Sequence, residues 1–184
     1  MRLACGIVLW AAVAGLAECK SGGGEVMSPR GVVIESLTVT SPIFAPGAAV
    51  PVDFTCDGAD RSPPLTLSAP PANARSLAIV VDDPDGPGGT FTHWIVYNLR
   101  PDTLSIAEAA DLGTSGGISG TNDFKRLGYS GPCPPKFEEH RYRFRVVALD
   151  ALIHPEPPAT REAIDAAMNG HVIGQGSLVG VYSH

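Results

Sequence analysis

The chain has 184 residues, 44% of them hydrophobic and 17% charged. That balance gives one domain enough apolar surface to form a core and excludes a disordered or fibrous class. The formal net charge of -6 excludes the clustered-basic footprint that nucleic-acid binding requires.

The first element is MRLACGIVLWAAVAGLAEC, with one positive charge at Arg2 and an apolar run from Leu3 to Ala17. It is too short for a transmembrane helix and ends in small residues, which predicts a signal peptide over residues 1–18 and an exported protein. LAEC resembles a bacterial lipobox, in which Cys19 would carry lipid and anchor a membrane lipoprotein. Glu18 departs from that pattern, and cleavage after Ala17 would instead give a soluble periplasmic protein. Residues 19–30, which include KSGGGE, read as a flexible tether, and residues 31–184 as one folded domain without internal repeats. Of four cysteines, Cys5 falls in the signal and Cys19 at its end. Cys56 and Cys133 remain, either as one disulfide in an oxidising compartment or as two separate buried thiols.

Along the domain, GVVIESLTVTSPIF (31–44) has the β-branched richness of a strand, broken at Pro42. SLAIVV (76–81) is a continuous apolar run of buried-strand length. FTHWIVYNL (91–99) predicts a third strand with Phe91, His93, Ile95 and Tyr97 on one face. RYRFRVVALD (141–150) alternates most clearly, with Arg141, Arg143 and Arg145 on one face and Tyr142, Phe144, Val146 and Ala148 on the other. ATREAIDAAMNGH (159–171) predicts a helix with Thr160 as N-cap and Gly170 as stop, and SLVGVYSH (177–184) a last strand. Between these segments lie turns that use most of the 17 Pro and 21 Gly. The expected architecture is mainly β, a mostly antiparallel sheet with long functional loops.

Two segments carry chemistry. DDPDGPGGTFTHW (82–94) places Asp82, Asp83 and Asp85 at the end of a buried strand, around a Pro/Gly turn, with His93 a few residues beyond them. Such acids sit at a sheet rim, where a stiff turn holds carboxylates in place at low entropic cost; a solvated surface turn is the plain alternative. GPCPPKFEEHRYRF (131–144) brings His140 to the start of the arginine strand. If the two strands meet, His93 and His140 flank one cavity. Prolines 132, 134 and 135 offer no N–H donors, so this loop makes a wall, and donors must come from the histidines, Arg141 and Gly131. There is no HExxH or CxxC spacing for a metal and no P-loop lysine. His154, His171 and His184 lack comparable surroundings and read as structural or exposed.

FTCDGADRSPPL, DDPDGPGGTFTHWIVYN, NDF, GYSGPCPPKFEEHRYRFRVVALD and AMNGHVIGQGSLVGVY together resemble the bacterial branch of the phosphatidylethanolamine-binding proteins, also called Raf-kinase-inhibitor-like proteins. The likeness spans roughly residues 35–183. It implies a large antiparallel sheet packed on a smaller sheet, a helix near the C-terminus, and a small anion pocket lined by Asp83, His93, Gly131, Pro135 and His140. Asp85 and Arg141 match positions with a structural pairing role. The loops of Cys56 and Cys133 should converge near this pocket, which makes their disulfide the expectation. Phe137, where the branch carries glycine, and Gly86, in DPDGP rather than DPDAP, depart from the pattern.

The expected function is that of an exported binding protein for phosphate or phosphoethanolamine-like ligands, not an enzyme, with no cofactor or metal assigned. Alternatives are a regulator of a protein partner, kinase- or protease-inhibitor-like, and a weak hydrolase using Asp83 and His140. The resemblance also implies a homodimer, with membrane contact only through the N-terminal lipid. Carboxylates repel phosphate, so Asp83 must be protonated, orient a histidine, or pair with a ligand ammonium. A zwitterion such as phosphoethanolamine meets the last condition.

Overall fold

The computed structural model describes residues 33–184 and the backbone of a two-residue strand, β1 (Val26–Met27). The predicted signal peptide, most of the tether and Cys19 lie outside the described residues. The further strands are β2 (Val33–Ser36), β3 (Val39–Thr40), β4 (Leu65–Leu67), β5 (Ser76–Asp83), β6 (Phe91–Leu99), β7 (Ser105–Ile106), β8 (Ile118–Ser119) and β9 (His140–Leu149). A helix, α1 (Arg161–Met168), precedes β10 (Val172–Tyr182). Seven strands form one sheet in the order β1-β2-β10-β9-β5-β6-β8, and β3-β4-β7 form the small one.

The large sheet is mixed rather than wholly antiparallel, because β10 and β2 pair in parallel, Gly174 opposite Glu35 and Gln175 opposite Ser36. Segment 31–44 is also not one strand. It leaves the large sheet at Leu37, whose N–H donates to the Gln175 carbonyl, and enters the small sheet as β3. A Cβ on Gly176 would collide with the Leu37 backbone at this crossing, so the crossover needs glycine there.

The alternation of β9 decides the packing. Tyr142, Phe144, Val146 and Ala148 are all 0% exposed and belong to the core between the two sheets. On the opposite face the arginines give way to Val147 and Leu149, which pack with Ile164 and Met168 of α1 in a second core. The helix begins at the predicted cap, Thr160, whose side chain accepts from the Ala163 N–H. Gly170 just beyond it adopts φ 81, a left-handed conformation suited to glycine after a helix end.

β6 departs from simple alternation. Val81 pairs with Trp94 and Asp82 with Thr92, which leaves His93 as an extra residue in a β-bulge. A bulge reverses the facing of the residues beyond it. Phe91 and His93 therefore stay together, in edge contact at 5.3 Å between ring centroids, while Ile95 and Tyr97 turn to the helix-side core. The predicted four-residue face is split at the bulge.

Candidate functional site

The rim where β5 ends and β9 begins carries the site. Asp83 is the last residue of β5 and its side chain is buried. Its Oδ1 accepts from the Asp85 N–H at 2.8 Å, which closes the turn around Pro84. Its Oδ2 lies 2.7 Å from His140 Nδ1, and the imidazole donates. Both carboxylate oxygens thus serve the protein, and of the three roles open to Asp83 this geometry matches the orienting of a histidine.

With Nδ1 committed, Nε2 is the ring atom left to His140, and the Glu138 carboxylate stands 3.2 Å from it. Burial works against a charged ring here, but hydrogen bonds and charge from Asp83 and Glu138 outweigh it and raise the His140 pKa above 6.5. His93 goes the other way. Burial lowers its pKa, only partly opposed by the Ser130 carbonyl, to which Nδ1–H donates at 2.8 Å. The neutral ring then keeps Nε2 as an acceptor. The two imidazoles that flank the same space are therefore shifted in opposite directions, His140 toward the protonated form and His93 toward the neutral one.

That space is a cavity of about 740 Å³ whose walls include Asp83, His93, Pro135 and His140. Four of the five predicted ligand residues are thus brought together. Gly131 is not among the lining residues. Its N–H donates to Asp60 Oδ1 at 2.6 Å, and a Cβ there would run into the backbone of Phe54 and Thr55. It is a glycine of close backbone approach rather than an anion donor. Arg141 does not supply the predicted donor either, since its guanidinium grips Asp85. That grip, with the Arg141 N–H, pulls the Asp85 pKa down to about 2. The pairing of these two residues is the one the resemblance implied.

Several residues in and around the cavity wall carried no role in the sequence reading. Phe124 stacks edge-on against Phe91 at 4.8 Å and His93 at 5.4 Å, and Lys125 and Asp123 line the same cavity. Asn122 holds this loop to β6, its amide donating to the carbonyl of His93 and to Ser130 Oγ. NDF marked the segment without revealing that its asparagine is a brace. Tyr142 was legible only as core. Its ring meets His93 edge-on at 5.2 Å, and its hydroxyl is buried near the Cys133 backbone without a hydrogen bond of good geometry. A buried phenol requires a partner, and that requirement was the available signal.

The Cys133–Pro135 wall is tied down covalently, because Cys56 and Cys133 form a disulfide with Cα atoms 5.5 Å apart. His184, read as structural, adds a second tie: Nδ1 lies 2.8 Å from Asp57 Oδ2 and Nε2 2.6 Å from the Pro134 carbonyl. Cys56, Asp57 and His184 stand within metal-ligating distance of one another, but the sulfur is already spent in the disulfide. Reduction of the bond, which closes a separation of 77 residues, should lower stability by roughly 2 to 4 kcal/mol. Denaturant midpoints with and without reductant measure this, and unchanged midpoints would show that the loops need no covalent tie.

Two packed sheets with a histidine–carboxylate cavity at the rim of the larger define a β protein with a polar pocket at its strand ends. The family model described as phosphatidylethanolamine-binding protein matches residues 40–183, and the chain belongs to that family. It is 42% identical over 173 residues to a UPF0098 protein of Pyrococcus abyssi, covering 89% of each chain. It is 40% identical over 187 residues to LppC of Mycobacterium tuberculosis, whose name describes a candidate lipoprotein, covering 94% of this chain and 92% of that one. Among solved structures, the homologue CT736 of Chlamydia trachomatis superimposes with a TM-score of 0.75 at 38% identity, over 82% of this chain and 99% of that one.

Proposed function

We propose that this protein is an exported binding protein whose rim cavity receives a small phosphate-bearing ligand, zwitterionic ones such as phosphoethanolamine above all. The observation that carries the reading is His140: a buried imidazole in the cavity wall, fixed through Nδ1 by Asp83 and raised in pKa. A hydrogen-bond donor that is biased toward its charged form and cannot turn away is the chemistry an anionic oxygen needs. Lys125 in the wall adds positive charge, and Phe91 and Phe124 give the ligand's carbon chain an apolar surface.

A ligand that binds only the folded state stabilises it, and so raises its melting temperature, in step with the logarithm of concentration over Kd. Phosphate and phosphoethanolamine should both do so, and glycerol should not. Absence of a shift with either phosphate compound would remove the pocket reading. Export is supported by the disulfide and by the name of the M. tuberculosis relative; intact mass of the mature protein distinguishes lipid on Cys19 from a free N-terminus.

A second reading, regulation of a protein partner, draws on Phe137. This residue is 96% exposed and stands between Pro135 and His140 of the cavity wall. Large apolar side chains so fully presented beside a site suit protein contact.

A further inference from the structure

His140, a residue of the cavity wall, already has an anion set against it, and that anion comes from the Pro135–His140 loop. Glu138 places Oε2 3.2 Å from His140 Nε2, the ring atom left free once Asp83 has taken Nδ1. An incoming phosphate oxygen needs that same atom. The two carboxylates around the imidazole differ in their freedom to leave. The Asp83 side chain is 6% exposed and accepts two hydrogen bonds, whereas the Glu138 side chain is 59% exposed and accepts one long one. Asp123 also lines the cavity, with its Oδ2 held by the Thr92 N–H at 2.7 Å.

The backbone is shaped to aim Glu138. Its N–H donates to the Pro135 carbonyl at 3.2 Å, closing a turn. Phe137 takes φ 70 within it, a left-handed conformation unfavourable for a bulky residue. The Phe137 side chain is 96% exposed, so packing does not repay that conformation. What the turn achieves is the delivery of the next side chain onto His140.

Resting on the pocket reading above, we propose that Glu138 is a built-in competitor and selector: its carboxylate occupies the ligand position on His140 Nε2 and lets zwitterionic phosphomonoesters in more readily than inorganic phosphate. A phosphate oxygen that displaces Oε2 leaves the freed carboxylate within a few ångströms of the bound anion. Free phosphate meets that charge as repulsion. A ligand with an ammonium group answers it with an ion pair, so the displaced residue becomes a ligand contact. Asp83, with both oxygens engaged, is less able to take that part.

Titration calorimetry of the full protein with inorganic phosphate and with phosphoethanolamine tests this in the wild type, E138Q, E139Q and H140A. Glu138→Gln keeps the shape and removes the charge, and at a pH low enough to keep His140 protonated in the variant, phosphate affinity should rise about three- to thirtyfold, the span between an exposed ion pair and a hydrogen bond to a charged group. Phosphoethanolamine should gain less, or lose, so the ratio of the two affinities shifts toward phosphate. Glu139→Gln removes the same charge one residue away and should change neither by more than about twofold, as a solvated charge does. Unchanged phosphate affinity in E138Q, with H140A abolishing binding, overturns the competitor while leaving the pocket standing. Equal gains in E138Q and E139Q reduce the effect to general charge and also overturn it. Equal gains for both ligands overturn the selector role. Failure of the wild type and all three variants to bind either compound overturns the pocket reading and this inference with it.

Discussion

Asp82→Ala should destabilise the protein by roughly 3 to 5 kcal/mol, the range for removing one partner of a buried ion pair, and lower the melting temperature by about 6 to 20 °C for a chain of this size. Asp82 is 0% exposed. Its Oδ1 accepts from Arg143 Nε, and its Oδ2 from Arg143 Nη2 and Arg161 Nη1, all at 2.9 Å. One carboxylate therefore joins β5, β9 and α1. Without it, Arg143, Arg145 and Arg161 crowd a half-buried patch in which Asp165 is the remaining salt-bridge partner among the described residues. Burial and the neighbouring Arg161 already lower the pKa of Arg145. Asp165→Ala is the control, because that carboxylate is 45% exposed and exposed pairs contribute about 0 to 1 kcal/mol. Thermal denaturation of the two variants measures the difference. Equal losses would place the energy in general charge balance rather than in the buried carboxylate.

His140→Ala should weaken phosphate binding by at least tenfold, because a hydrogen bond to a charged group is worth roughly 1.5 to 3 kcal/mol. The melting temperature should also fall, because the substitution leaves the buried Asp83 carboxylate without its imidazole partner, so affinity is compared at a temperature where the variant is folded. The pH dependence is the more specific signature. The His140 pKa is raised above 6.5, so the favourable contribution of the charged ring is fully present below 6.5 and is lost as pH rises through the higher folded value. The His93 pKa is lowered, so its neutral form is favoured in the fold, and stability falls as pH drops below 6.5 toward that lower value. Binding should accordingly decline on the alkaline side, while His93 limits stability on the acid side. Calorimetric titration across neutral pH, with melting temperatures alongside, separates these effects. An affinity that stays flat on the alkaline side would mean that His140 is not the charged donor.

How far the site was legible depends on which residues lie close in the chain. Asp83 and Asp85 flank one proline, so their turn is local, and the DPD and HRY blocks brought Asp83, His93, Pro135 and His140 to one place by resemblance. Gly131 matched the same pattern, yet its N–H goes to Asp60, 71 residues away. Nothing in the GPCPP segment announces that partner. Phe137 stood in plain view as a departure from the pattern, with Glu138 beside it, but the aim of a side chain depends on the turn geometry that φ 70 creates.

By itself the sequence determined most strand segments and the helix, the arginine and core faces of β9, the Thr160 cap and the two blocks that build the pocket, because periodicity, turn chemistry and capping act over a few residues. Even the separation of Asp82 from Asp83 is implicit there, since neighbours on a strand point to opposite faces. Only the tertiary structure decided that β2 runs parallel to β10, that the His93 bulge divides β6 between two cores, that Asp82 meets Arg161 79 residues away, and that Glu138 rests on His140. Each of these depends on which strands become neighbours and on where a carbonyl, a carboxylate or a missing Cβ lies across the gap between them. Long-range pairing sets those distances, and no local pattern encodes them.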